Sequence, residues 1–134
     1  MVDNPRRSLV DKLGIKPTGG AYTLHAPHGY AGELPFVLEV NNIDEIPETY
    51  EWLQAFYVNK NDLEREIATI KDRLAHDGQL WISWPKKSSG VNSDLNENII
   101  REIGLNAGIV DVKVAAIDET WSGLKFVYRL KDRQ

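Results

Sequence analysis

The sequence contains no cysteine and a single methionine. A chain without thiols can form neither a disulfide nor a thiolate metal centre, and it has no cysteine nucleophile. It also lacks any apolar run near the roughly 20 residues that a membrane-spanning helix requires, and its polar start, MVDNPRRS, has no signal-peptide core. The expected location is therefore the cytoplasm, with no membrane partner. The glycine-lysine phosphate loop and the glycine-serine-glycine nucleophile elbow are both missing. Basic charge is not in excess either: 16 Lys and Arg against 20 Asp and Glu leave a net charge of −4, which argues against nucleic acid as a bulk electrostatic partner.

What is present fits one domain. A chain of 134 residues can bury a real core without staples. Residues 1–7 are polar and read as an arm, and residues 131–134 as a charged tail.

The stretch DGQLWISWPKKSSG, Asp77 to Gly90, organises the rest. Leu80, Trp81 and Ile82 form an unbroken apolar run extended by Trp84, the pattern of a strand covered on both faces. Pro85 cannot donate to a ladder, so the strand stops there. Lys86, Lys87, Ser88, Ser89 and Gly90 follow as a polar loop. Asn92 and Ser93 then precede the helical spacing Leu95, Ile99, Ile103 and are the expected caps. A strand, a basic loop and a helix start in that order form a place where an anion could bind. An ordinary connection with two solvated lysines is the plainer reading.

In chain order, Ser8 caps a short helix through Leu9, Val10 and Leu13, stopped by Gly14. Ala21 to His25 reads as a strand, then a turn through Pro27, His28 and Gly29, then a short helix from Tyr30 to Leu34. Phe36 to Val40 is a second strand. Glu39 to Glu51 carries five acidic residues and no basic one and reads as a solvated connection. Trp52 to Val58 is ambiguous by periodicity, and length favours a strand. Asn61 to His76 reads as a helix: Leu63, Ile67, Ile70 and Leu74 share a face, Asn61 and Glu64 match a capping box, and Gly78 matches a C-terminal glycine. After a second helix ending near Gly108, Val110, Val112, Val114 and Ala116 share one strand face, and Leu124, Phe126, Tyr128 and Leu130 another. The expected fold is α/β: a three-layer sandwich with a mainly parallel sheet and an antiparallel C-terminal hairpin, with the loops after Val58 and Trp84 on one edge.

The chemistry-bearing residues each have two readings. His25 and His28, three apart, invite a metal, but no third ligand is near in sequence, so a structural or solvated role is favoured. His28 is also a candidate proton donor to a ligand. His76 reads as a helix-end cation. Asp118 and Glu119 could serve as an acid-base pair if desolvated against Trp121, or simply close a turn. The four tryptophans fit a core, although an aromatic beside a basic loop can stack a ring.

The segments SLVDKLGIKP, LWISWPKKSSGVNSDLNE and VDVKVAAIDETWSGLKFVYR resemble a bacterial family catalogued as domain of unknown function 3052. That resemblance implies no activity. The order of elements more loosely resembles a shortened class I methyltransferase, which implies a Rossmann-like fold and raises S-adenosylmethionine as a cofactor, with Glu39 in the place of the ribose-binding acid. The turn after the first strand departs from that pattern: it has one glycine, and Pro27 removes a backbone donor, which argues against S-adenosylmethionine and leaves the cofactor unassigned. The leading expectation is a non-catalytic methyltransferase-like domain that binds a protein partner or a small anionic ligand at Lys86 to Gly90. The alternatives are a divergent transferase using a nucleotide-like cofactor, and a structural protein forming homo-oligomers across the strand Leu124 to Leu130.

Overall fold

The structure, a computed structural model, describes residues 12–15, 20–30, 34 and 37–132. The principal elements among the described residues are, in chain order, β1 (Ala21–Leu24), β2 (Leu38–Val40), β3 (Tyr50–Phe56), α1 (Lys60–Asp72), β4 (Leu74–Pro85), α2 (Glu97–Ala107), β5 (Ile109–Ala116) and β6 (Trp121–Tyr128). They form one sheet in the order β2-β1-β3-β4-β6-β5. The pairs β1–β2, β1–β3 and β3–β4 are parallel, while β6 runs antiparallel to both β4 and β5. This is the expected α/β architecture. The hairpin is inserted rather than appended: both edges of β6 are paired, so the free edge on that side belongs to β5 and not to the strand Leu124 to Leu130.

Strand alternation divides the core. Leu53, Leu80, Ile82, Leu124 and Phe126 point to one face and meet Leu63, Ile67 and Ile70 of α1 and Ile100 and Ile103 of α2. Trp52 and Trp81 point to the other, where they meet Leu13, Ile15, Ala21, Leu34 and Ile117. Both indole N–H groups donate to the Leu13 carbonyl, at 2.8 and 3.0 Å, so neither buried donor is left unsatisfied. The unbroken run Leu80 to Ile82 is explained by this double cover. Trp52, Trp81 and Trp84 are core residues; Trp121 is only partly buried.

Several boundaries differ from those the sequence suggests. α1 ends at Asp72, and Leu74 opens β4 by pairing with Tyr50. His76 and Gly78 therefore lie in the strand, not at a helix end. Gly78 is needed for space there: a Cβ would stand 3.0 Å from the Glu51 carbonyl oxygen. α1 begins at Lys60, and its N–H is capped by the Asp94 carboxylate at 2.8 Å rather than by an Asn61 box. α2 is capped by Asn96, whose Oδ1 accepts from the Ile99 N–H at 2.9 Å, whereas Ser93 donates to the Val58 carbonyl. In β5 the register shifts between Asp111 and Lys113, and Val112 and Val114 lie about half exposed on the edge strand instead of in the core. Of the expected charged tail, residues 131 and 132 belong to a 3₁₀ turn, Leu130–Asp132, and residues 133 and 134 lie outside the described residues. The expected arm, the Ser8 cap and residues 31–33 of the expected Tyr30 helix lie outside the described residues.

Candidate functional site

Because β1, β3, β4 and β5 point the same way, four connections share the carboxyl edge of the sheet: the turn after β1, the β3–α1 turn, the β4–α2 loop and the β5–β6 turn. β1 has β2 on one side and β3 on the other, so chain order reverses there. That reversal opens a crevice, the usual ligand position in open α/β sheets. A cleft of about 430 Å³ lies at this point, lined among others by His25, Phe56, Tyr57, Asp62, Glu66 and Trp121.

The cleft is built around one carboxylate. Glu66 projects from α1, and its Oε1 accepts from His25 Nε2 at 2.8 Å and from the Tyr57 hydroxyl at 2.6 Å. The rings of His25 and Tyr57 meet edge to face at 5.5 Å. Burial first, and then the hydrogen bond to Glu66, hold the Tyr57 phenol far above its usual pKa, so it stays a donor. His25 closes β1 in the left-handed region with φ 59°, a conformation that His adopts more readily than most non-glycine residues. Phe56 sits between Tyr30 and Trp121, at 4.9 and 5.1 Å, both edge to face. Behind it, the Tyr30 hydroxyl donates to Gln54, which donates to Ser83; both Gln54 and Ser83 are fully buried. At the mouth, Arg65 pairs with Asp62.

A second cleft of about 460 Å³ lies over the β4–α2 loop, lined by Trp84, Lys87, Asn92, Asp94 and Asn96 among others. The β3–α1 turn stands between the two. Val58 and Asn59 line the first cleft, and this turn is tied to the second by Ser93 to the Val58 carbonyl, 2.7 Å, and by Asp94 to the Lys60 N–H.

The residues singled out from the sequence fall as follows. The loop Lys86 to Gly90 is held by Ser89 and by its neighbours in the fold. The Lys86 N–H donates to Thr120 at 2.7 Å, the Ser89 N–H to the Lys86 carbonyl at 3.0 Å, and Ser89 Oγ both donates to that carbonyl and accepts from Val91. Gly90, at φ 80°, supplies the left-handed turn. The ammonium groups of Lys86 and Lys87 have no partner among the described residues, and Ser88 is exposed. The Lys86–Thr120 bond brings this loop against the β5–β6 turn. There Asp118 is exposed and its Oδ1 accepts from the Thr120 and Trp121 N–H groups, both at 2.8 Å, and Glu119 is exposed as well. Neither carboxylate is desolvated against Trp121. His28 is exposed in the turn closed by Tyr30 N–H to the Pro27 carbonyl, 3.1 Å, and no hydrogen bond joins it to Lys86. Glu39 is exposed on β2. Among the described residues no group of three metal-ligating side chains occurs, and no helix is long and apolar enough to cross a membrane.

Sequence reading missed Glu66 and Tyr57. The available signal was an acid bordering the apolar stripe Leu63, Ile67, Ile70, but its partner His25 lies 41 residues away.

No family model matches the chain, and no curated protein matches it in sequence. Solved structures do match in fold. A putative type 11 methyltransferase from Sulfolobus solfataricus aligns at TM-score 0.59 and 13% identity, over 96% of this chain and 94% of its own. A TehB-like SAM-dependent methyltransferase from Corynebacterium glutamicum aligns at 0.56 and 12%, over 96% and 89%. The magnesium protoporphyrin IX methyltransferase of Synechocystis, solved with S-adenosylhomocysteine, aligns at 0.54 and 13%, and this chain spans 64% of its length. At such identities the likeness establishes the fold: a Rossmann-like sheet of the class I methyltransferase type.

Proposed function

We propose that the protein is a binding domain built on the methyltransferase fold, and that it takes a small anionic ligand on the carboxyl edge of its sheet at the Lys86–Gly90 loop. One observation carries this reading. Bonds from the Lys86 N–H to Thr120 and from Ser89 back to Lys86 hold the loop, the ammonium groups of Lys86 and Lys87 have no partner among the described residues, and Lys87 lines a cleft of about 460 Å³. Two unpaired cations on a rigid loop attract a carboxylate, phosphate or sulfate group. The turn after β1 supports a role other than methyl transfer, since Pro27 cannot donate a backbone N–H and His25 rather than glycine takes the left-handed position.

The second reading is a divergent transferase using a nucleotide-like cofactor. It is favoured by structural neighbours solved with S-adenosylhomocysteine or with sinefungin. A thermal-shift panel of S-adenosylmethionine, S-adenosylhomocysteine, nucleotides, phosphate and sulfate separates the two. A ligand at about a hundred times its Kd adds roughly 2.7 kcal/mol, a shift of several degrees. Anion binding predicts shifts with phosphate-bearing compounds that vanish in the Lys86→Ala/Lys87→Ala double variant, whose own melting temperature stays near that of the parent. A shift confined to the adenosyl compounds and insensitive to both lysines would replace this reading with the second.

A further inference from the structure

The cations of the Lys86–Gly90 loop account for one charged group of a ligand, but not for the body of the cleft that Lys87 lines, about 460 Å³. That is more room than a bare phosphate or sulfate fills, and it lies within the roughly 300 to 1,000 Å³ of small-molecule sites. We propose that the ligand is a sugar phosphate: Lys87 takes the phosphate, and the hydroxylated body lies in the cleft against the indole N–H of Trp84. This assignment of ligand class rests on the anion-binding reading.

Hydrogen-bonding groups that the fold leaves unused on the cleft wall lead there. Trp52, Trp81 and Trp84 are all buried, and a buried indole N–H rarely goes without a partner. Trp52 and Trp81 both donate to the Leu13 carbonyl. Trp84, 6% exposed and lining the cleft, has no hydrogen-bond partner among the described residues. Its polar neighbours on the wall are divided between fold and cleft. Ser93 is fully used, donating to the Val58 carbonyl and accepting from the Leu95 N–H. Asp94 gives one carboxylate oxygen to the Lys60 N–H, and Asn96 gives its Oδ1 to the Ile99 N–H. The second Asp94 oxygen, the Asn96 amide nitrogen and the whole Asn92 amide have no partner among the described residues.

These free groups select the ligand. Trp84, Lys87, Asn92 and Asn96 offer N–H donors, while Asp94 and the Asn92 carbonyl offer acceptors. A hydroxyl both donates and accepts, so a run of hydroxyls meets both kinds at once. An ammonium in place of the hydroxyls only donates, and would leave the indole and amide N–H groups without acceptors. A nucleobase fits no better, because Trp84 is the one aromatic residue on the wall and its burial leaves no face for stacking. Charge fixes the orientation. The phosphate sits at Lys87, and the Asp94 carboxylate, which repels it, accepts from a hydroxyl. Val91, 43% exposed, and Leu95 supply apolar surface for the C–H groups of the sugar.

The test uses the full-length 15N-labelled protein, whose four tryptophans give four indole N–H signals; the Trp84 signal is the one missing in Trp84→Phe. The protein is titrated with glucose 6-phosphate, ribose 5-phosphate, inorganic phosphate, glucose and adenosine monophosphate. At least one sugar phosphate is expected to bind about tenfold more tightly than inorganic phosphate, the effect of two ordinary hydrogen bonds, and to move the Trp84 signal while those of Trp52 and Trp81 stay. Inorganic phosphate should bind and leave the Trp84 indole in place. Asn92→Ala, at an exposed site, should cut the advantage of the sugar phosphate by about threefold without altering phosphate binding, and Trp84→Phe, which keeps a ring but not the donor, should do the same. The Lys86→Ala/Lys87→Ala variant should lose phosphate and sugar phosphate alike. Sugar phosphates that bind no better than phosphate, that leave the Trp84 indole unmoved, or that are indifferent to Asn92→Ala would overturn the assignment, and the anion-binding reading would stand if phosphate binding still needs the lysines. Tighter binding of adenosine monophosphate than of either sugar phosphate would replace the sugar with a nucleotide. If no phosphate compound binds, the anion-binding reading falls and the sugar phosphate falls with it.

Discussion

Gly104 faces β6 from the inner side of α2, and a methyl group placed on it would stand 2.1 Å from Phe126 Cε1. Local propensity alone would favour alanine over glycine in a helix by about 1 kcal/mol. Contact reverses that preference, because Phe126 is fully buried and its ring has nowhere to retreat. Gly104→Ala is therefore expected to lower stability by about 1 to 3 kcal/mol, the usual cost of an overpacked core. Urea denaturation should show a lower midpoint at unchanged slope; a higher midpoint would mean that helix and sheet can separate at no cost. At this scale the sequence shows residue types but not their partners. Lys86, Lys87 and Ser89 stand out by chemistry, yet the bonds that engage Ser89 and the Lys86 N–H are visible only in three dimensions. The opposite holds for Glu66: on its helix it looks like a border residue, and only the fold brings His25 and Tyr57 to it.

Helix caps show where pattern is sufficient and where it is not. Leu95 lies on the same stripe as Ile99 and Ile103 and is buried like Ile103, with Ile99 partly buried beside them, so the apolar spacing of α2 extends one turn too far toward the N-terminus and makes Asn92 and Ser93 look like caps. The turn before Asn96 is instead held by side-chain bonds of Ser93. Asn96→Ala is expected to cost about 1 kcal/mol, while Asn92→Ala, at an exposed site with no hydrogen-bond partner among the described residues, should change little. Equal losses at the two positions, measured by denaturant melts, would contradict the cap assignment. The same ambiguity misplaced the end of α1. Leu74 is buried in the helix-side core whether it closes the helix or opens β4, so its apolar character could not distinguish the two. The central strand was legible for the opposite reason, since a run apolar on both faces has few other places to go. In β5 the alternation of valines was real, but an edge strand with a register shift leaves half of Val112 and Val114 in water.

The topology followed from the alternation of elements and the right-handed crossover rule, which together require the loops after β3 and β4 to share an edge. The hairpin position did not follow, because adjacency in sequence says that β5 pairs with β6 but not which of them meets β4. The finished fold makes its own demand on pH. The Tyr50 and Tyr57 phenols are pushed well above the usual value of 10.0, by burial first in both cases. Charge from Tyr128 adds to Tyr50, and the Glu66 hydrogen bond adds to Tyr57. Below that value both phenols are neutral in the folded and the unfolded chain, so the folded state keeps its full stability. Above it the unfolded chain releases protons that the folded chain retains, and stability must fall as pH rises, by up to about 1.4 kcal/mol per pH unit for each such tyrosine. Tyr128 is shifted in the same direction and adds to the slope. The melting temperature should accordingly fall as the pH climbs past about 10. Tyrosinate absorbance from Tyr50 and Tyr57 should appear only together with the loss of circular dichroism. The Tyr50→Phe/Tyr57→Phe variant, which keeps the rings but not the acids, should show a shallower fall. If all five tyrosines instead ionise around the ordinary phenol value while the dichroism stays intact, then the hydroxyls of Tyr50 and Tyr57 are open to water, and the hydrogen bonds from Tyr50 to the Ile70 carbonyl and from Tyr57 to Glu66 are not holding the β3 side of the core closed.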